Sequence, residues 1–411
     1  MVNLYLLSET RRGGLYGVGS YVRELLTALS DAPIRIHVLH LFSEKSRIEM
    51  EETAGVSHWY FPRPVSVPNG LDGWEVRALY GRNLVYLLRL MIKDQENLLF
   101  HLNYHDDADL VDELRAAFNC KIVSISHFSD WGFIIFDHLA YLRRCLRQDL
   151  ENEQEKTVRK MVEREQVFYA KMDHIICLSE YMRNFFLDDY GFDPQKIHVI
   201  PNGLAEGLQI EKEKNKRFFK NKWHLPKREK IILYVGRLDR IKGVNYLVKA
   251  FEKVLDTCPC VRLLIAGSGD YDLCLREGKA VATQIVFTGF LDKDSLYELY
   301  RLADVGVVPS LFEPFGYVPV EMMMHGLPIV ATATSGLNEV VDESCGRKVP
   351  LSVSTDEVTI DTDLLAEQIV YLLRHPEEAR RLGQNGRRRY LSEYTSERFG
   401  QRMLAFYESL N

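Results

Sequence analysis

Apolar residues in this chain fall into short β-branched runs separated by amphipathic stretches of helical length. In the first half the runs occupy residues 2–7, 34–41, 98–103, 121–126, 174–178 and 198–200. Several are almost continuously apolar, as parallel strands buried on both faces are. Between them, residues 21–29, 108–118 and 156–171 repeat apolar positions every three or four residues, the period of a helix with one buried face. The alternation predicts a doubly wound parallel sheet. It breaks at residues 206–228, a Lys- and Glu-rich stretch that reads as a linker or surface excursion. A second series follows, with strand runs at 231–235, 261–266, 285–288, 305–309, 328–331 and 347–349. Basic helical segments at 363–374 and 376–410 close the chain. The pattern predicts a Rossmann-like domain over 1–205, the linker, a second such domain over 229–385 and a helical tail over 386–411. In such folds, ligands sit beyond the carboxyl ends of the strands.

Composition narrows the function classes. With 411 residues, 46% hydrophobic and 27% charged, the chain has the make-up of a soluble globular protein of two or three domains. A net charge of −6 argues against nucleic acid as the main partner, since that binding is driven by basic surface. The opening run meets charge at Glu9 and has neither a basic flank nor a cleavage site, so it is expected to be a first strand. No run approaches the ~18 apolar residues of a membrane span. Seven scattered cysteines suit reduced thiols and a cytoplasmic location. Cys258-Pro-Cys260 is too lone a pair for a zinc site. Arg77, Arg82, Arg89 and Lys93 share a helical stretch with apolar residues. They read as a solvated face, with peripheral contact to an anionic membrane surface as the alternative.

The chemistry concentrates in residues 305–341. A strand ends at Pro309, and a loop then carries Glu313, Phe315 and Gly316. A short helix is predicted to open near Pro319 and to stop at Gly326-Leu-Pro328. Backbone N–H groups at Phe315, Gly316 and the Ser335-Gly336 turn would then face one sheet edge, a ready site for an anion. Glu313 and Glu321 lie in the same neighbourhood. Carboxylates repel phosphate but accept hydrogen bonds from ribose and sugar hydroxyls. The matching cations stand upstream in Gly236-Arg237-Leu-Asp-Arg-Ile-Lys242-Gly243, at the end of another strand. Arg grips a diphosphate bidentately and Lys adds a point charge. With both in place, the leaving group needs no metal ion.

Glu313-Pro-Phe-Gly-Tyr-Val-Pro-Val-Glu321 resembles the Glu-x7-Glu signature of retaining GT-B-fold glycosyltransferases of family 4. Gly236-Arg237-Leu…Lys242-Gly243 is similar to that family's diphosphate-binding segment. Gly13-Gly14…Gly17-Val-Gly19, His127 and Pro201-Asn202-Gly203 fit the same pattern. The resemblance implies two Rossmann-like domains facing across a cleft, with a C-terminal helix crossing back to the first. It implies transfer of a hexose-type sugar from a nucleoside diphosphate sugar, uridine favoured, to a hydroxyl acceptor with retention and without cofactor or metal. Arg237 and Lys242 would then stabilise the diphosphate, Glu313 with the Phe315 and Gly316 amides the donor sugar, and Glu321 the ribose. His127 would contact the hexose, and Gly14 would approach the phosphate. Asn202, Gly236, Gly267 and Tyr317 complete the donor side. The acceptor stays open among saccharide, peptide and lipid-linked molecules.

A catalytically silent protein of the same fold that only binds a nucleotide sugar or glycan is the alternative. A nicotinamide oxidoreductase lacks its fingerprint, because Gly267-Ser-Gly269 has Asp272 where the third glycine belongs. Asp107-Ala-Asp109 opens an amphipathic helix, where acids complement the helix dipole. His101 and His105 lie at a strand end, an unsuitable spacing for a metal pair.

Overall fold

The computed structural model describes residues 2–9, 17–64, 73–94, 96–105, 107–147, 152–206, 216–355 and 357–410. They form two compact units.

The first unit comprises residues 1–130, 149–205 and 396–411. Its sheet contains β1 (Asn3–Glu9), β2 (Arg35–Ser43), β3 (Glu49–Thr53), β4 (Val56–Pro62), β5 (Leu98–Leu102), β6 (Cys120–Ser126), β7 (His174–Cys177) and β8 (Ile197–Val199), in the order β3-β4-β2-β1-β5-β6-β7-β8. All pairings are parallel except the β3–β4 hairpin. β1 is buried along nearly its whole length and β5 along all of it, which explains their continuous apolar runs. The hairpin was not predicted from the sequence. Its turn, Ala54-Gly55, holds both residues at positive φ, 50° and 76°, and an alanine there is not a turn signal. Helix Ser396–Ser409 belongs to this unit and packs on helix Gly17–Ala28. The approach is close because Gly400 has no Cβ, which would lie 2.4 Å from the Ala28 carbonyl.

The second unit comprises residues 131–148 and 206–395. Its strands are β9 (Lys230–Val235), β10 (Val261–Ala266), β11 (Ile285–Gly289), β12 (Val305–Val308), β13 (Ile329–Ala333), β14 (Gly346–Val353) and β15 (Val358–Ile360). They run in the order β11-β10-β9-β12-β13-β14-β15, antiparallel only at β14–β15. Both predicted α/β series are therefore present as separate sheets.

Three local expectations differ from the structure. Residues 206–228 were expected to be a linker or surface excursion without regular structure, and within them Lys216–Lys222 is helical and buries Phe219. The helix expected to open near Pro319 spans Tyr317–Met324, so Pro319 is its third residue and not its first. Proline is tolerated there because no N–H in the first turn has an intrahelical acceptor. Residues 131–148 group with the second unit although they lie within 1–205. Trp131 packs on Phe312 with ring centroids 5.3 Å apart. Asp137 Oδ2 accepts from Ser335 N–H and from the Thr334 hydroxyl, at 2.8 and 2.9 Å.

Candidate functional site

In the second unit the sheet order reverses between β9 and β12, with β10 continuing to one side and β13 to the other. In open α/β sheets ligands bind at the carboxyl ends of the strands where the order reverses in this way. β9 runs into Gly236 and Arg237, β10 into Gly267, and β12 into the loop carrying Glu313, Phe315 and Gly316. Both Gly236 and Gly267 have a positive φ that disfavours any side chain, and at Gly267 the backbone also approaches too closely for a Cβ. Gly236 and Gly267 have φ of 149° and 148°, and a Cβ on Gly267 would sit 1.8 Å from the Gly236 carbonyl oxygen.

The charged residues are held individually. Lys242 Nζ donates to Glu313 Oε2 at 2.5 Å, and the Ser310 hydroxyl reaches the same oxygen at 3.1 Å. Ser335 Oγ accepts the Glu313 N–H at 2.8 Å. The Glu313 carbonyl also accepts the Leu337 N–H at 3.0 Å, so the residue is fixed by four contacts, while its Oε1 meets no donor among the described residues. Asp239 caps the turn at Arg240–Lys242 by accepting the Lys242 N–H, and it lies 3.2 Å from Arg237. Gly243, in the left-handed region at φ 64°, ends that turn and starts helix Val244–Thr257.

Glu321 Oε2 accepts from the Tyr300 hydroxyl at 2.6 Å. Burial, and then the Glu321 carboxylate, raise the Tyr300 pKa well above its ordinary value, so the hydroxyl remains the donor. Phe315 is buried against Tyr317 and Tyr394. Its N–H and that of Gly316 have no acceptor among the described residues, and both lead into helix Tyr317–Met324. The Ser335 N–H, expected to be open, is occupied by Asp137. Of the amides expected to face an anion, that of Ser335 is therefore already taken, while those of Phe315 and Gly316 stay open among the described residues.

In the first unit His127 follows β6 and is half-buried. Its Nε2 lies 3.1 Å from Asn103 Oδ1, and the Tyr21 ring stands edge-on at 4.8 Å. Burial, with His101 and His105 nearby, pushes its pKa down to about 3, so the ring is neutral near pH 7. Asn202 is buried, and its Oδ1 has no partner among the described residues. Gly14 lies outside the described residues. Sequence reasoning missed Asn103, Tyr300, Ser310 and Asp137, the groups that hold His127, Glu321, Glu313 and the Ser335 turn. None belongs to a motif, and only the fold brings each to its partner.

One group of described residues has a metal-ligand composition: His105, Asp130 and Glu165. Both oxygens of Glu165 are already engaged, Oε1 by the Asp130 N–H at 2.7 Å and Oε2 by the Tyr190 hydroxyl at 2.6 Å. His105 Nε2 stands 3.6 Å from Oε1. The set acts as a hydrogen-bonded brace for the turn after β6.

Residues 215–389 match the model for glycosyl transferases group 1, and residues 16–206 match that for Glycosyltransferase Family 4. The chain belongs to the group 1 glycosyltransferases. It is 29% identical over 283 residues to an uncharacterized glycosyltransferase of Methanocaldococcus jannaschii, covering 66% of this chain and 70% of that one. It is 28% identical over 228 residues to a D-inositol 3-phosphate glycosyltransferase of Segniliparus rotundus, 53% of this chain but only 48% of that relative. Among solved structures, sucrose-phosphate synthase from Thermosynechococcus elongatus aligns with TM-score 0.77 and 24% identity, over 100% of this chain and 99% of that one. Anabaena HepE in complex with UDP and glucose aligns over 100% of both chains with TM-score 0.72 and 15% identity. At these identities the likeness establishes the GT-B fold of the glycosyltransferase.

Proposed function

We propose that this glycosyltransferase moves a hexose-type sugar from a nucleoside diphosphate sugar, uridine favoured, to a hydroxyl acceptor with retention of anomeric configuration and without a metal ion. The observation that carries the reading is the Lys242–Glu313 pair, 2.5 Å apart at the switch point of the second sheet. It presents a cation for phosphate and, on Glu313 Oε1, an open acceptor for sugar hydroxyls. Arg237 adds the second cation, the amides at Phe315 and Gly316 supply anion donors, and Glu321, oriented by Tyr300, accepts from ribose. Anabaena HepE, solved with UDP and with UDP-glucose, supports uridine.

In the proposed reaction the bond from the anomeric carbon to the diphosphate oxygen breaks as the acceptor oxygen bonds on the same face. The acceptor proton passes to the departing diphosphate. Negative charge grows on that leaving group, where fixed cations stabilise the transition state more than the ground state. The acceptor is a saccharide, peptide or lipid-linked hydroxyl. Among the described residues no helix is long and apolar enough to cross a membrane. Peripheral membrane contact is supported by exposed Leu79, Tyr86 and Leu90 on helix Gly73–Met91. Two of its basic residues are less available than the sequence suggested, since Arg77 pairs with Glu9 and Arg82 with Glu113.

The test is thermal unfolding with saturating UDP, GDP, ADP or NAD, each with and without EDTA. UDP at about a hundred times its dissociation constant adds roughly 2.7 kcal/mol, a shift of several degrees. A UDP shift that survives EDTA, together with turnover of a UDP-sugar, is the expected result. A shift with NAD alone would overturn the reading, and binding without turnover on any donor would favour the silent alternative.

A further inference from the structure

We propose that the second unit binds a phosphorylated small molecule in a cationic cavity at the edge of its sheet opposite the proposed donor site. The cavity measures about 1090 Å³, room for a whole metabolite and far more than a single ion needs. Three adjacent parallel strands place it. Lys230 opens β9, Asp304 directly precedes β12 and Pro328 directly precedes β13, and all three residues line the cavity. It therefore lies at the amino ends of these strands. Arg237, Glu313 and Ser335 follow the carboxyl ends of the same strands. A strand rises about 3.3 Å per residue, so the length of β9 puts roughly 20 Å between the two ends. The cavity is a separate place in the fold, and its assignment does not rest on the proposed function.

Charge identifies the ligand. The chain as a whole is acidic, with a net charge of −6, yet the cavity wall holds six Lys and Arg side chains and only two carboxylates. Both carboxylates are engaged. Asp304 accepts from Lys216 at 2.6 Å, and Glu206 pairs with Arg387. Arg380 is matched by Glu377 of its own helix, at 2.6 Å. Two cations have only neutral partners among the described residues. Lys230 donates to the Leu373 carbonyl, and Arg388 donates to Asn385 Oδ1 at 2.6 Å. The neighbours register the crowding. Burial lowers the Lys216 pKa even with Asp304 beside it, and the charges of Lys220 and Lys230 push the same way. Burial, with Arg301 and Arg387 nearby, pushes the pKa of His325 in the cavity wall down to about 4. A phosphate monoester carries close to two negative charges at pH 7 and several acceptor oxygens, which suits two cations that lack an acid. Arg and Lys are the side chains that bind it. The rest of the cavity leaves space for the molecule that carries the phosphate.

The experiment is isothermal titration calorimetry of the full chain at pH 7 with glucose 6-phosphate, glycerol 3-phosphate, inorganic phosphate and, as control, glucose. At least one of the two phosphate esters is expected to bind, more tightly than inorganic phosphate, and glucose is not. Lys230→Gln and Arg388→Gln should each weaken that binding about 10-fold, the scale of one charge-assisted hydrogen bond, while Arg388→Lys keeps most of it. Arg388 is exposed and its side chain holds only Asn385, so its replacement leaves the fold intact, and the thermal midpoint checks this. Lys242→Ala, at the other end of the sheet, should bind the ester as the wild type does. No binding by any of the phosphate compounds overturns the proposal. So does binding that Lys242→Ala abolishes and the two Gln variants leave unchanged, which would place the phosphate at the donor cations instead. Inorganic phosphate bound as tightly as the esters would make this a bare-anion site and overturn the assignment to a phosphorylated molecule. Cosedimentation with phosphatidylglycerol vesicles, lost in Arg388→Gln and unaccompanied by any ester binding, would overturn it in favour of a lipid headgroup.

Discussion

At the scale of single residues, Lys242 joins two requirements. Its ammonium is anchored on Glu313, and in the proposed reaction the same charge meets the departing diphosphate. Removing such an electrostatic group costs about 10²–10³-fold in rate, so Lys242→Ala and Arg237→Ala are each expected to lower kcat by that factor. Glu313→Gln should instead weaken donor binding, since it leaves the cation in place. Steady-state kinetics on a UDP-sugar distinguishes the two, and near-normal turnover in Lys242→Ala would remove that residue from the mechanism. The charged residues were legible because their chemistry is carried by type and spacing in one short segment. Their supports were not. Tyr300 lies 21 positions before Glu321 and Asp137 lies 198 before Ser335, separations that only the fold closes.

At the scale of elements, glycines at positive φ are needed for two separable reasons, one seen at Gly191 between β7 and β8 and the other at Gly267 after β10. Gly191, at φ 72°, has open space where a Cβ would go. Gly267, at φ 148°, would place a Cβ 1.8 Å from a carbonyl oxygen. Gly191→Ala should therefore cost only about 1 kcal/mol, the backbone strain alone. Gly267→Ala should cost about 2–4 kcal/mol, because the β9 and β10 loops must also separate. Urea unfolding measures both, and equal costs would mean that the loops yield easily. The elements themselves were legible wherever apolar periodicity was strong, as in β1, β5 and β9. They were not where an element rests on few residues or unusual backbone. The β3–β4 hairpin turns at an alanine with positive φ. Helix Lys216–Lys222 sits in a charged stretch and is tied down by Lys222, which donates to Glu298 at 2.6 Å.

At the scale of the whole molecule, each unit has its own sheet, and the first is completed by a helix from the far end of the chain. Tyr407, on Ser396–Ser409, lies 2.7 Å from His101 Nδ1, and His101 is fully buried on β5. Burial pushes the His101 pKa from 6.5 down to about 3, and His127 in the same unit is shifted as far. The sign of the linkage follows. Below about pH 6.5 the unfolded chain takes up protons that the folded unit refuses, so the unfolded state binds more and stability rises with pH. The first unit should hold its full stability above that pH and lose it progressively as pH falls toward 3. Each neutral histidine contributes a slope of up to about 1.4 kcal/mol per pH unit. Replacing His101 with Gln is expected to lower stability at pH 7 through the lost Tyr407 contact, yet to flatten the pH slope by nearly one proton. Urea denaturation between pH 7 and 4, followed by tryptophan fluorescence of Trp59 in the first unit, reads that slope. An unchanged slope would mean that the ring is protonated in the folded state, and that something other than a neutral His101 holds the last helix against β5.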